Sequence, residues 1–214
     1  MSIEIQKPGN PWLDYGYAAT ARSIVGTLLK FNKGEFFAGV ENRPIPIGTE
    51  MVPLMASLTV GWVRWQSDAP TDRRMGLVVD RFVPAKRSDL GDTDQTLWEP
   101  DAEGDPQDPW QLTNYLPMCA KRDSEPFTFT TTSRGGLSAI GDLCKTYGKH
   151  MGQFPDQLPV IKLEVGSYLH RQKSIGRIKF PIFTLVSWTD KGPYLDLIGN
   201  STPPTGPTNT APLF

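Results

Sequence analysis

Apolar and polar positions alternate along much of this chain with the two-residue period of half-buried strands, and change to a helical period once. Between Ser23 and Phe37, Ile24, Leu28 and Phe31 stand in β-rich company, and Asn32-Lys33-Gly34-Glu35 supplies a turn, so this stretch predicts a hairpin. Pro44 and Pro46 mark an irregular edge. Alternation is cleanest from Leu58 to Trp65: Leu58, Val60, Trp62 and Arg64 face one way, and Thr59, Gly61, Val63 and Trp65 the other. Met75 to Val83, Leu112 to Met118 and Phe127 to Thr132 predict further short strands. Leu137, Ile140, Leu143, Cys144 and Tyr147 then fall on one face of a helix, with Lys145, Lys149 and His150 toward its C-terminal end. Ile161, Leu163 and Val165 alternate with Lys162 and Glu164, and a last strand runs from Ile175 to Trp188, broken at Pro181.

About seven short strands with one helix before the final hairpin predict a mainly β domain, either a small OB-like barrel or a sandwich, rather than alternating β/α units. The domain is expected to span residues 1–198. Its first 22 residues, rich in Pro, Gly, Tyr and Ala, read as an extended arm. Residues 88–109 lack hydrophobic periodicity and carry Asp-Pro punctuation, the pattern of a long acidic loop. The Pro/Thr/Asn-rich stretch 199–214 reads as a flexible tail.

Net charge is −1, but it is unevenly divided. Residues 1–87 carry eleven Lys/Arg and eight acids, residues 88–108 eight acids and no Lys/Arg, and residues 109–214 eleven Lys/Arg and seven acids. Outside the acidic segment the chain is therefore +7, which permits a positive surface wherever that segment lies elsewhere. Cys119 and Cys144 stand alone, without a C-x-x-C partner or histidine at ligand spacing, and read as reduced core thiols. No N-terminal leader pattern and no apolar run of about 20 residues is present, so the chain is expected in the cytoplasm and off the membrane.

Several constellations bear on chemistry. Tyr168, His170, Arg171, Lys173, Arg177 and Lys179 put cations beside an aromatic on the last hairpin, which suits sequence-tolerant binding of single-stranded nucleic acid. Residues 165–189 hold four Lys/Arg, one histidine and no acid; the competing reading is a solvated hairpin whose charges only discourage edge pairing. Trp62 and Arg64 share a strand face and offer a second stacking surface, unless the tryptophan is simply core. Thr132-Ser133-Arg134-Gly135-Gly136 leads into the helix, where Arg134 and free N–H groups suit a phosphate, although a plain capped turn explains the same residues.

Enzymatic readings fail on spacing. The glycine turn lacks the G-x-x-x-x-G-K-[ST] order of a P-loop, and Gly136-Leu137-Ser138-Ala139-Ile140-Gly141 puts its second glycine one residue late for a nucleophile elbow. Asp101-Ala102-Glu103-Gly104-Asp105 begins like a calcium loop, but its glycine is misplaced and Leu112 stands where the bidentate glutamate belongs. Asp156 followed by Lys162-Leu163-Glu164 reverses the acid-x-Lys order of a metal-dependent nuclease. The chain is expected to use no cofactor and no metal, and to be non-enzymatic.

Leu90-Gly91-Asp92-Thr93-Asp94, Leu97-Trp98-Glu99, Asp108-Pro109-Trp110-Gln111, Asn114-Tyr115-Leu116 and Ser133-Arg134-Gly135-Gly136 with Ala139-Ile140-Gly141-Asp142-Leu143-Cys144 resemble blocks of a family of mostly uncharacterised tailed-phage and prophage proteins. The resemblance covers about residues 85–190. It implies replication or recombination, with single-stranded DNA as the ligand, partner proteins from those processes and room for a homo-oligomer. Single-stranded DNA-binding proteins often resemble one another in an acidic tail ending in Phe; here Phe214 is present but no acid follows Asp196, which argues against recruitment through the tail. The rival expectations are a phage structural or assembly protein, and an inhibitor that docks on a basic host factor through residues 88–108.

Overall fold

Lys33 and Gly34 both take positive φ, 50° and 95°, and close a tight hairpin between β1 (Thr27–Asn32) and β2 (Glu35–Ala38). Glycine suits the positive φ, and the end of the Lys179 side chain packs directly over Gly34. From this hairpin the chain builds a curled, open half-barrel in a computed structural model that describes residues 25–101, 104–171 and 176–199. The strands that follow are β3 (Arg43–Ile45), β4 (Glu50–Pro53), β5 (Thr59–Gln66), β6 (Ala69–Leu77), β7 (Trp110–Ala120) and β8 (Pro126–Thr131). After them come helix α1 (Arg134–Met151), strands β9 (Gln157–Leu169) and β10 (Arg177–Asp190), and a short helix α2 (Leu195–Gly199).

All ten strands belong to one sheet, ordered β10-β9-β4-β7-β8-β1-β2-β3, which branches at β7. The first half of β7 pairs with β5 (Trp62 opposite Leu112), whereas its last residues pair with β4 (Val52 opposite Cys119). Strand β6 continues outward from β5, and β9 and β10 continue outward from β4. Among the described strands only β1 and β8 run parallel, with Thr27 opposite Phe127; the Val25 N–H donates to Thr128 Oγ1 at 2.9 Å beside that pairing.

Strand alternation sorts side chains onto two faces. Met51, Met118 and Ile161 enter the main core with Leu29, Phe36, Phe129 and, from α1, Ile140 and Leu143. Their neighbours Val52, Cys119 and Val160 turn the other way and are covered by Tyr194 and Leu197 at the chain's last described turn. A strand buried on both faces reads as a continuous apolar run rather than an alternation. This is why the Met51-Val52-Pro53-Leu54 stretch does not announce itself as a strand.

Helix α1 begins where its residues predict. The Ser133 hydroxyl accepts from the Gly136 N–H at 3.2 Å and is tied to Thr131 Oγ1 at 3.1 Å. The helix lies alongside β10, touching Phe180 at Gly135 and ending where His150 stacks on Trp188, with ring centroids 3.5 Å apart. Two expected boundaries differ. The strand expected at Met75–Val83 holds only for its first three residues, which end β6, while residues 78–81 form a turn; the expected break at Pro181 does not occur, because Pro181 sits inside β10 at the end of the sheet order, where a missing N–H is tolerated. The irregularity in β10 comes four residues later, as a register shift between Leu185 and Ser187.

Both cysteines are free thiols, Cys119 buried and Cys144 packed against the core, and burial pushes both up from the ordinary thiol range. No helix among the described residues is long and apolar enough to cross a membrane. The expected arm at 1–22 and the expected tail at 199–214 lie outside the described residues, except for Gly199, which ends α2.

Candidate nucleic-acid interface

Strands β9 and β10 pair far beyond the point where β4 ends, so their outer part stands out as a two-stranded ribbon. Register divides its side chains. Tyr168 pairs with Ile178 and shares a face with Phe180, while Arg177 and Lys179 share the opposite face with Ser167 and Leu169. The Tyr168 and Phe180 rings lie 6.0 Å apart, and the Arg177 guanidinium donates to Ser167 Oγ at 3.0 Å.

Where α1 begins beside this ribbon, a groove of about 720 Å³ opens. Arg134 and Ser133 line one wall, and Tyr168, Lys179, Phe180 and Ile182 the other. Gly135 makes the close approach possible, since a Cβ there would stand 2.7 Å from that of Phe180. Among the described residues lining the groove the one acid is Asp142, which is paired with Lys145 at 2.9 Å. Tyr168 is half exposed, with its ring accessible for stacking. Lys179 passes over the Lys33-Gly34 turn, so the β1–β2 hairpin brings a further cation to this end of the molecule.

The expected residues therefore separate into two groups. Arg134 and Tyr168 meet at the groove, with Arg177 and Lys179 on the ribbon's other face and His170 and Arg171 at its tip; the backbone N–H of His170 donates to the Gly176 carbonyl at 2.9 Å. Lys173 lies outside the described residues. Trp62 and Arg64 are on the other branch of the sheet, and neither is unengaged: the Trp62 indole donates to the Ala85 carbonyl at 2.9 Å, and Arg64 grips Asp92. Phe180 and Lys33 are additions. Phe180 reads in the sequence as ordinary strand apolar content, and Lys33 as turn polarity.

The acidic stretch is not a free loop along its described length. It contains short 3-10 turns at Arg87–Leu90 and Gln95–Leu97 and is tied to β5 and β7. Asp92 accepts from Arg64 Nε at 2.9 Å and from the Trp110 indole at 2.9 Å, and these two bonds, Arg64 first, hold its carboxyl below the usual carboxylate range. Arg87 grips Asp108 through two bonds of 2.6 and 2.8 Å, which raise its own pKa further. The Glu99 carboxylate accepts the Ser67 N–H at 2.8 Å. Among the described residues, no three His, Cys, Asp or Glu side chains are gathered as a metal site would require.

No family model, no curated protein and no solved structure matches this chain.

Proposed function

We propose that this chain is a non-enzymatic, single-stranded DNA-binding protein of phage or prophage replication or recombination, acting in the cytoplasm of the bacterial host. The observation that carries the reading is the groove between α1 and β10, where Arg134, far away in sequence, stands beside the rings of Tyr168 and Phe180. A strand needs cations for its phosphates and flat rings for its unpaired bases, and a duplex offers no free base face to such rings. The absence of acid from residues 165–189 leaves this end attractive to phosphates despite the chain's net charge of −1. The phage context comes from the resemblance of residues 85–190.

Titrating labelled single- and double-stranded oligonucleotides at two salt concentrations tests the reading. Binding should favour the single strand and weaken steeply with salt. Reversing charge at Arg171, Lys173 and Arg177 should flatten the dependence by about 0.7 log–log units for each phosphate that the variant no longer neutralises. Tyr168→Ala should cost about 1–3 kcal/mol of binding with little change of slope, which separates stacking from charge. A folded triple variant with the affinity and salt slope of the parent removes the ribbon from the interface.

A further inference from the structure

Two arginines on the β5–β7 branch are gripped by carboxylates in the way an arginine grips phosphate. Arg64 meets Asp92 through Nε and Nη2 at 2.9 and 3.4 Å, and Arg87 meets Asp108 through the same two nitrogens at 2.6 and 2.8 Å. The planar guanidinium fork fits the paired oxygens of either anion. Flat rings stand beside both forks. Trp62 shares the Arg64 face of β5, and Arg87 lies 5.9 Å from the Trp98 ring centroid. Cation forks among indoles are the elements a single strand requires.

Charge and packing both distinguish this from an ordinary structural contact. Residues 58–87 carry six Lys/Arg and three acids, so the branch is +3, and the stretch laid against it, 88–108, is −8. Apolar burial contributes little to holding that stretch. Leu90 is buried at its root, but Gly91 to Leu97 are all exposed and Leu97 is 81% exposed. What holds it is polar: the two ion pairs, whose side chains are about a quarter to a third exposed (26% and 37%, 24% and 34%), with hydrogen bonds from the Trp110 indole and the Ser67 N–H to the Asp92 and Glu99 carboxylates. Ion pairs at such exposure are weakened by salt and open to exchange with another anion.

We propose that the Asp92 and Asp108 carboxylates are internal competitors, seated where phosphates of a single strand would sit on a second contact surface made by Arg64 and Arg87 with Trp62 and Trp98. A phosphodiester strand displaces them, and the exchanged carboxylates set a threshold below which this branch does not bind. The inference rests on the reading that the chain takes single-stranded nucleic acid at the α1–β10 groove, and adds a regulated contact to it.

The test is an anisotropy titration of a labelled oligothymidylate with the parent protein and with Asp92→Asn/Asp108→Asn. The double variant should bind about fivefold or more tightly at about 50 mM salt, with a salt slope steeper by about 0.7 for each arginine released. Adding Arg64→Ala and Arg87→Ala should abolish the gain. A folded double variant with parental affinity overturns the inference, as does a gain that survives removal of both arginines.

Hydrogen exchange in the parent protein provides a measurement that needs no variant. Saturating oligothymidylate should speed exchange at the Leu97 and Trp98 amides, which donate within the acidic stretch, and unchanged exchange there overturns displacement. The two readings fail separately. Binding by the Asn variant but not by the parent removes the groove and keeps the competitor, whereas parental binding untouched by the Asn substitutions does the reverse; binding by neither overturns both.

Discussion

Gly135→Ala should destabilise the protein, although alanine is the better helix former. The added Cβ would stand 2.7 Å from the Phe180 Cβ and 3.6 Å from its Cα, both fixed to the β10 backbone, so α1 or β10 must shift. Overpacking of this kind costs about 1–3 kcal/mol, against which alanine returns at most about 1 kcal/mol of helix propensity near the first turn. Mid-range values, about 2 kcal/mol less about 1 kcal/mol, leave a net loss of about 1 kcal/mol, which lowers the melting temperature by about 2–4 °C in a chain of this length. Gly141→Ala is the control, because nothing lies within 4 Å of its added Cβ, and it should raise the melting temperature by about 2–4 °C. Both are read from thermal melts followed by circular dichroism. Should Gly135→Ala melt at or above the parent while Gly141→Ala behaves as expected, the close approach of helix and ribbon is not as described. The groove would then have no geometric basis.

Ser133→Ala removes the acceptor for the Gly136 N–H and should cost about 1 kcal/mol, seen as a lower urea midpoint with an unchanged slope. Because the Asp92 carboxyl is held below its unfolded value by Arg64 and Trp110, its contribution is complete above the unfolded carboxylate pKa and is lost as pH falls through the folded one. The difference in melting temperature between the parent and Asp92→Asn should therefore be largest near neutral pH and shrink toward acid; a difference that grows on acidification contradicts the pairing.

Much of the core is legible in the sequence because burial on one face leaves a period. Strands β5 and β8 and helix α1 follow apolar positions that the fold buries, such as Val63, Phe129 and Ile140, whereas in β1 the buried residue is Leu29 and the expected Leu28 and Phe31 are only half-buried. Where burial is on both faces or on neither, the period vanishes. Strand β4 is apolar after Glu50, and β6 is mostly exposed, with Thr71-Asp72-Arg73-Arg74 in a ribbon clear of the core, so its limits are set by pairing with β5 rather than by its own pattern. The candidate site divides in the same way. The basic, acid-free hairpin is visible in composition, but its meeting with Arg134 depends on α1 lying along β10. The pairing of Arg64 with Asp92 spans 28 residues and follows from the path of the acidic stretch, which no local pattern records.

The parallel pairing of β1 with β8 bears on how the molecule is made. It joins segments some 100 residues apart, as the Val25 to Thr128 bond measures, across every strand from β2 to β7. During synthesis the first hairpin must wait, with one edge of β1 unpaired, until β8 has left the ribosome. Closing so long a loop is slow relative to local hairpin formation, and a waiting edge invites pairing with neighbouring chains. Yield from the cell should therefore depend on translation rate and temperature more than equilibrium stability would suggest, with the interval between synthesis of β1 and β8 as the vulnerable one.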